Sequence, residues 1–192
     1  MSREDPIMPH ENMLVSGRTA LAIIDMQEAF RPFIVDFAET AGRIAVAARA
    51  AQLLDVPILI TEQYPPGLGR TAAEVQAALP AGLQPVEKTV FSCCGAPGFV
   101  AQLEATGARQ ILLCGIEAHI CVNQTAHDLL ARGYQVHLLT DGITSRAAHN
   151  KEVALAKMQQ SGALLSTVEM ALFELLRDAQ HEQFKAIQKL IR

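Results

Sequence analysis

Thr19-Ala20-Leu21-Ala22-Ile23-Ile24-Asp25 is a short, unbroken apolar run that ends on a charge. Continuous rather than alternating hydrophobicity marks a strand buried on both faces of a parallel sheet. Residues 37–54 follow, rich in alanine, with Ile44, Ala47, Ala48 and Ala51 at helical spacing. Val56-Pro57-Ile58-Leu59-Ile60-Thr61 then repeats the strand pattern. Strand, crossover helix and strand make a right-handed βαβ unit.

Working outward, the Pro/Gly-rich run from Gln63 to Gly69 reads as a loop, residues 71–79 as a short helix, and 85–88 as a weaker strand running on into 89–92. Pro97 opens a helix that Gly107 closes, and 109–114 is a further buried strand broken by Gly115. Residues 119–132 read as helix, 135–140 as strand, 149–161 as helix, 163–167 as the last strand, 168–178 as helix and 181–191 as a final helix. These six strands, alternating with helices, predict a three-layer, doubly wound (Rossmann-like) α/β sandwich with a mostly parallel sheet. One domain spans 1–192, with an N-terminal arm at 1–16 and a C-terminal helix at 181–192.

Composition excludes several classes. Half of the 192 residues are hydrophobic and 19% charged, far from the signature of disorder. The net charge of −4 offers no basic field for nucleic acid, and no apolar run approaches the roughly 18–20 residues that span a bilayer. The leader MSREDPIMPHEN, with Glu4, Asp5 and Glu11, resembles neither a signal nor a transit peptide. With four cysteines and no such leader, the expectation is a protein of the reducing cytoplasm.

In a doubly wound sheet the ligand lies beyond the carboxyl ends of the strands. That rule selects Asp25, Glu62, Lys88, the stretch from Gly115 to Cys121, and Asp141. Asp25 either caps the next segment, pairs with a base, or works chemically. Lys88 either points to solvent or reaches the same edge. Cys121, in the expected first turn of a helix, is either a small buried hydrophobe or a thiolate favoured by the helix dipole. Together, a carboxylate, an ammonium and a thiol at one edge have the parts for nucleophilic catalysis. By the commoner fate of cysteines, Cys93, Cys94 and Cys114 are packing residues. The turn after the first strand lacks Gly-x-Gly-x-x-Gly, which disfavours a dinucleotide binder.

Ile24-Asp25-Met26-Gln27 with Phe30, Glu87-Lys88-Thr89 with Phe91-Ser92, and Gly115-Ile116-Glu117-Ala118-His119-Ile120-Cys121-Val122 followed by Gln124-Thr125-Ala126 occur in that order. With these motifs the chain resembles the isochorismatase-like cysteine hydrolases, over roughly Thr19 to Arg192. Thr61-Glu62-Gln63-Tyr64-Pro65 and the ending Phe184 to Ile191 resemble the isochorismatase domain-containing subfamily. The resemblance implies a triad of Asp25, Lys88 and Cys121, an oxyanion hole from the backbone N–H groups of Glu117 and Cys121, and a cis peptide at Ile116–Glu117. It further implies a small-molecule substrate and a homo-oligomer, dimer or tetramer. Gln27, Phe30, Tyr64 and Phe91 are candidate pocket residues by their nearness to the strand ends, and Phe184, Ile187, Leu190 and Ile191 a candidate subunit surface.

One departure narrows the chemistry. Nicotinamidases of the family carry an Asp-x-His metal site after the second strand, where this chain reads Thr61-Glu62-Gln63-Tyr64. Its six histidines lack ligand spacing, and His119 reads as a positioned loop residue. The expectation is no metal and no cofactor. Cys121 favours cleavage of a small amide or related C–N bond through a thioester. The alternatives are a cysteine-independent vinyl-ether or ester hydrolase, and a catalytically silent binding protein of the same fold.

Overall fold

Strands β1 (Thr19–Ile24), β2 (Ile58–Gln63), β3 (Val86–Lys88), β4 (Gln110–Gly115), β5 (Gln135–Ile143) and β6 (Leu164–Ser166) form one sheet in the order β3-β2-β1-β4-β5-β6. Every neighbouring pair is parallel. The computed structural model describes residues 10–192, so residues 1–9 of the expected arm, Glu4 and Asp5 among them, lie outside the described residues. The helices are α1 (Phe37–Leu53), α2 (Pro65–Leu68), α3 (Ala73–Gln76), α4 (Pro97–Ala105), α5 (Asn123–Ala131), α6 (Ala148–Gln160), α7 (Val168–Leu176) and α8 (Phe184–Leu190). The doubly wound α/β architecture is the expected one, with all six strands parallel.

All six residues of β1 are buried, as its unbroken apolar run requires of the central strand. Helices α3, α7 and α8 pack on α1, and α5 packs on α6. The chain winds β1 to β2 to β3 in one direction, then crosses back to β4 on the other side of β1. A right-handed crossover in the reverse direction puts α4 on the opposite face from α1. The strand order therefore reverses between β1 and β4, and a crevice opens at their carboxyl ends.

Gly115 makes that crevice. Its φ is +117°, and a Cβ there would lie 2.0 Å from the carbonyl oxygen of Ile24, so β4 approaches the end of β1 through the missing side chain.

Four local readings are corrected. The expected 71–79 helix shrinks to α3, because the Thr71 N–H and hydroxyl both donate to Glu62 Oε1, each at 2.7 Å. The third strand stops at Lys88 instead of continuing to Ser92, since the carbonyls of Val90 and Phe91 turn to the Lys88 ammonium. The 119–132 helix begins with a wider turn, Ala118–Val122, in which the Val122 N–H reaches back to the Glu117 carbonyl, so Cys121 precedes the α-helix instead of occupying its first turn. The C-terminal helix turns its apolar face inward: Ile187 is fully buried, and the Phe184 ring meets Phe173 edge-on at 6.1 Å. That face is occupied by its own domain and is not a free subunit surface.

Replacing Gly115 by Ala should cost at least about 3 kcal/mol, since strain at positive φ adds to a backbone collision. Gly107→Ala, at φ +68° with nothing within 4 Å, should cost only about 1 kcal/mol. Urea unfolding of both variants checks the difference, and similar losses at the two positions would contradict it.

Candidate active site

Asp25 stands one residue past β1, with φ +48°. For a residue with a Cβ this conformation persists where its surroundings enforce it. Here the Asp25 N–H donates to the Thr61 carbonyl at 3.2 Å, and the Asp25 carbonyl accepts from the Gln27 N–H at 2.7 Å. The side chain is 2% exposed.

Lys88 ends β3, the edge strand, and β2 lies between it and β1. At about 4.8 Å per strand, the lateral gap is roughly 10 Å. A long side chain is needed to cross it, and the fully buried Lys88 does so, placing Nζ 2.6 Å from Asp25 Oδ2. The remaining ammonium donors face Gln63 Oε1 at 2.8 Å and the carbonyls of Phe91 at 3.1 Å and Val90 at 3.2 Å. Asp25 Oδ1 accepts from the Thr61 hydroxyl at 2.7 Å. Burial alone would lower the Lys88 ammonium, but the charge of the Asp25 carboxylate beside it leaves it above its ordinary value.

Cys121 opens onto the same cavity as Asp25, about 200 Å³ in volume and walled by Phe30, Leu68, Phe91, Ile116 and Ile120. Glu117 and Arg146 line it too; the Arg146 Nε and N–H both donate to Glu117 Oε1 at 3.0 Å. The Ile116–Glu117 peptide bond is cis. Burial pushes the Cys121 thiol up, and the charge of Asp25 pushes the same way against Lys88. The resting thiol is thus protonated. Of the two readings left open, the thiolate favoured by a helix dipole is not the resting form, because Cys121 precedes the helix and faces a carboxylate.

Phe30 and Phe91 line the cavity, whereas Gln27 and Tyr64 do not. Gln27 is fully buried, and its amide is held by the Gln63 and Gly69 carbonyls at 3.0 and 2.7 Å and by the Gln63 N–H at 2.8 Å. It pins a loop instead of meeting a ligand. Tyr64, 54% exposed, lines an open groove of about 550 Å³ that reaches Lys88 but not Cys121. Glu62 and Asp141 also stay away from the cavity: Glu62 is held by Thr71 and Arg70, and Asp141 accepts from the Val168 N–H. His119 Nδ1 lies 3.1 Å from the Ser145 hydroxyl. Cys93 is fully buried beside Thr61. Among the described residues, no group of three or more His, Cys, Asp or Glu could hold a metal ion, and no helix is long and apolar enough to cross a membrane.

Sequence reasoning missed Thr61, Gln63 and Arg146. The first two carry a signal, being polar at the end of a strand adjacent to β1; Arg146 lies beyond β5 in no recognisable motif.

Known proteins place this arrangement in context. The profile of the isochorismatase domain matches residues 19–170. Isochorismatase domain-containing protein 2A of Mus musculus is 48% identical over 173 residues, covering 90% of this chain and 82% of its own. The Homo sapiens isochorismatase domain-containing protein 2 is 44% identical over 185 residues, covering 96% and 88%. Among solved structures, one described as the MAR1 ribonuclease of Caenorhabditis elegans superposes with a TM-score of 0.89 at 37% identity, covering 93% of this chain and 92% of its own. The fold is shared by the YcaC gene product of Escherichia coli, described as an octameric hydrolase of unknown specificity, with a TM-score of 0.87 at 21% identity over 96% of this chain and 91% of its own.

The thiols generate a pH prediction. Burial pushes Cys93 up to about 12 and Cys94 to about 11, and raises Cys114 and Cys121 as well. At pH 7 all four are neutral folded or unfolded and contribute nothing. Above about pH 8.5 the unfolded chain ionises while the folded thiols keep their protons, so the unfolded state binds fewer protons and stability falls as pH rises. Each ionised thiol contributes a loss of about 1.4 kcal/mol per pH unit. The stability held by the Lys88 pair, its folded value being raised, is present below about pH 10.5 and lost above it. Urea unfolding at pH 8, 9 and 10 should show a steepening decline, less steep in Cys114→Ala; a flat profile would contradict it.

Proposed function

The chain belongs to the isochorismatase family, and from that membership we propose that it is a cysteine hydrolase of a small amide or related C–N bond, working without a metal. One observation carries the reading: a buried carboxylate, paired at 2.6 Å with a buried ammonium, shares a small apolar cavity with a protonated thiol. A base beside a thiol that ionises only when the base takes its proton is the requirement for thiol nucleophilic catalysis.

In the proposed cycle Asp25 accepts the thiol proton as Cys121 Sγ attacks the substrate carbonyl. Lys88 holds the Asp25 carboxylate in an ion pair at rest and offsets the charge that forms on sulfur. The oxyanion is received by the N–H groups of Glu117 and Cys121, each such donor contributing about 3–4 kcal/mol. The Glu117 N–H has no acceptor among the described residues. The C–N bond then breaks as Asp25 returns the proton to the departing nitrogen. Water, deprotonated by Asp25, hydrolyses the thioester and releases the acid and the thiol. The apolar walls limit water and strengthen each charge interaction.

Vinyl-ether or ester hydrolysis by Asp25 alone is the second reading, since Asp25 and the cavity serve it without sulfur. A silent binding protein is the third. Ribonuclease activity, suggested by the description of the nematode protein, gains no support from a net charge of −4 and a cavity of about 200 Å³. The reduced, buried cysteines are consistent with the proposed cytoplasmic setting. We further propose a homo-oligomer, a dimer or tetramer. The half-exposed Phe91, Val90 and Tyr64 offer apolar surface near the site in place of the C-terminal helix, and light scattering should give two or four chain masses. A single chain mass at micromolar concentration contradicts it.

Ammonia release from a panel of small primary amides tests the function. Cys121→Ala and Asp25→Asn should each lower kcat at least about a thousandfold, with Lys88→Met close behind. Turnover of a vinyl ether or ester that survives Cys121→Ala but not Asp25→Asn would select the second reading. No turnover across amides, esters and vinyl ethers would favour the third.

A further inference from the structure

We infer that Thr61 is a positioning residue for the base: its hydroxyl fixes the orientation of the Asp25 carboxylate toward the thiol. This rests on the role proposed for Asp25 in the cysteine-hydrolase reading. The carboxylate has two oxygens and two buried donors, Lys88 Nζ at 2.6 Å from Oδ2 and Thr61 Oγ1 at 2.7 Å from Oδ1. The lysine crosses a strand to arrive, whereas Thr61 lies on β2, immediately beside β1. Its carbonyl also accepts the Asp25 N–H, so one residue grips the base at both backbone and side chain.

The hydroxyl has a single proton and two neighbours, Asp25 Oδ1 and Cys93 Sγ at 3.6 Å. A carboxylate accepts far better than a thiol, so the proton is directed to Asp25. The oxygen of Thr61 is then free to accept the Cys93 S–H, which gives the buried second thiol a place in the network. Valine has the same shape and lacks only the donor. A purely apolar packing role at this fully buried position would not need the hydroxyl.

The ionisable groups facing Asp25 are Lys88 from β3, Cys121 from the turn at Ala118–Val122 and Cys93 from the turn at Cys93–Gly95, with the Glu117–Arg146 pair on the same cavity. Lys88 serves Oδ2. Removing the Thr61 hydroxyl leaves Oδ1 without its donor and frees the carboxylate to turn away from the thiol. Every reaction that needs Asp25 as base slows with it.

The rate of Cys121 alkylation by iodoacetamide at pH 7, followed by peptide mass, reads the base without a known substrate. Thr61→Val and Thr61→Ala should slow it about tenfold, while Thr61→Ser keeps the wild-type rate. Packing alone would leave Thr61→Val, which fills the same space, at the wild-type rate, and circular dichroism establishes folding for each variant. Asp25→Asn separates the two levels. A rate slowed in Asp25→Asn but unchanged in folded Thr61→Val overturns the role of Thr61 alone. A wild-type rate in Asp25→Asn overturns both that role and the assignment of Asp25 as base.

Discussion

The ion pair between Asp25 and Lys88 is the constraint around which this end of the molecule is arranged. Two opposite charges lie out of water, the lysine side chain fully buried and the aspartate 2% exposed. Desolvating them costs several kcal/mol per ion, and the attraction between them offsets that only when the remaining valences are also satisfied. Thr61, Gln63 and the carbonyls of Val90 and Phe91 satisfy them. A well-packed apolar pair would stabilise the fold as well or better. The pair is therefore better understood through its effect on the neighbouring thiol than through stability.

That arrangement determines the backbone around it. Asp25 adopts a left-handed conformation so that its carboxylate turns into the crevice. The third strand ends early because two carbonyls are needed by the ammonium. Gly115 lets β4 close on β1, and the wide turn at Ala118–Val122 brings Cys121 to the cavity before α5 begins. Opposing effects act on the thiol: burial and the Asp25 charge hold its proton, while Lys88 favours its loss. A thiol so held is quiet at rest and, in the proposed cycle, ionises as the carbonyl arrives.

Much of this was legible in the sequence for a physical reason. A parallel strand covered on both faces is apolar through its middle, so β1, β2 and β4 are visible as short apolar runs, and the polar or charged residue that ends such a run lies at the carboxyl edge of the sheet. The topological rule then brings Asp25, Lys88 and Cys121 to the same edge, and the resemblance gave them roles. What escaped depends on side-chain direction. Gln27 and Tyr64 lie near the edge in sequence, yet one is absorbed in pinning a loop and the other faces an open groove. In the sequence Thr61 is only the polar end of a strand, although its hydroxyl meets the carboxylate. Arg146 follows a β5 that continues to Ile143, three residues past the expected end. The apolar face of α8 was visible as a pattern, but periodicity alone does not tell whether such a face meets its own core or another chain.

The central claim is that carbon–nitrogen cleavage passes through a covalent bond to Cys121. Intact-protein mass spectrometry of enzyme quenched in acid during turnover of a small amide tests it most directly. The account predicts an added mass equal to the acyl group, mapped to Cys121 and absent from Cys121→Ala. Steady turnover with no adduct, undiminished in that variant, would contradict it.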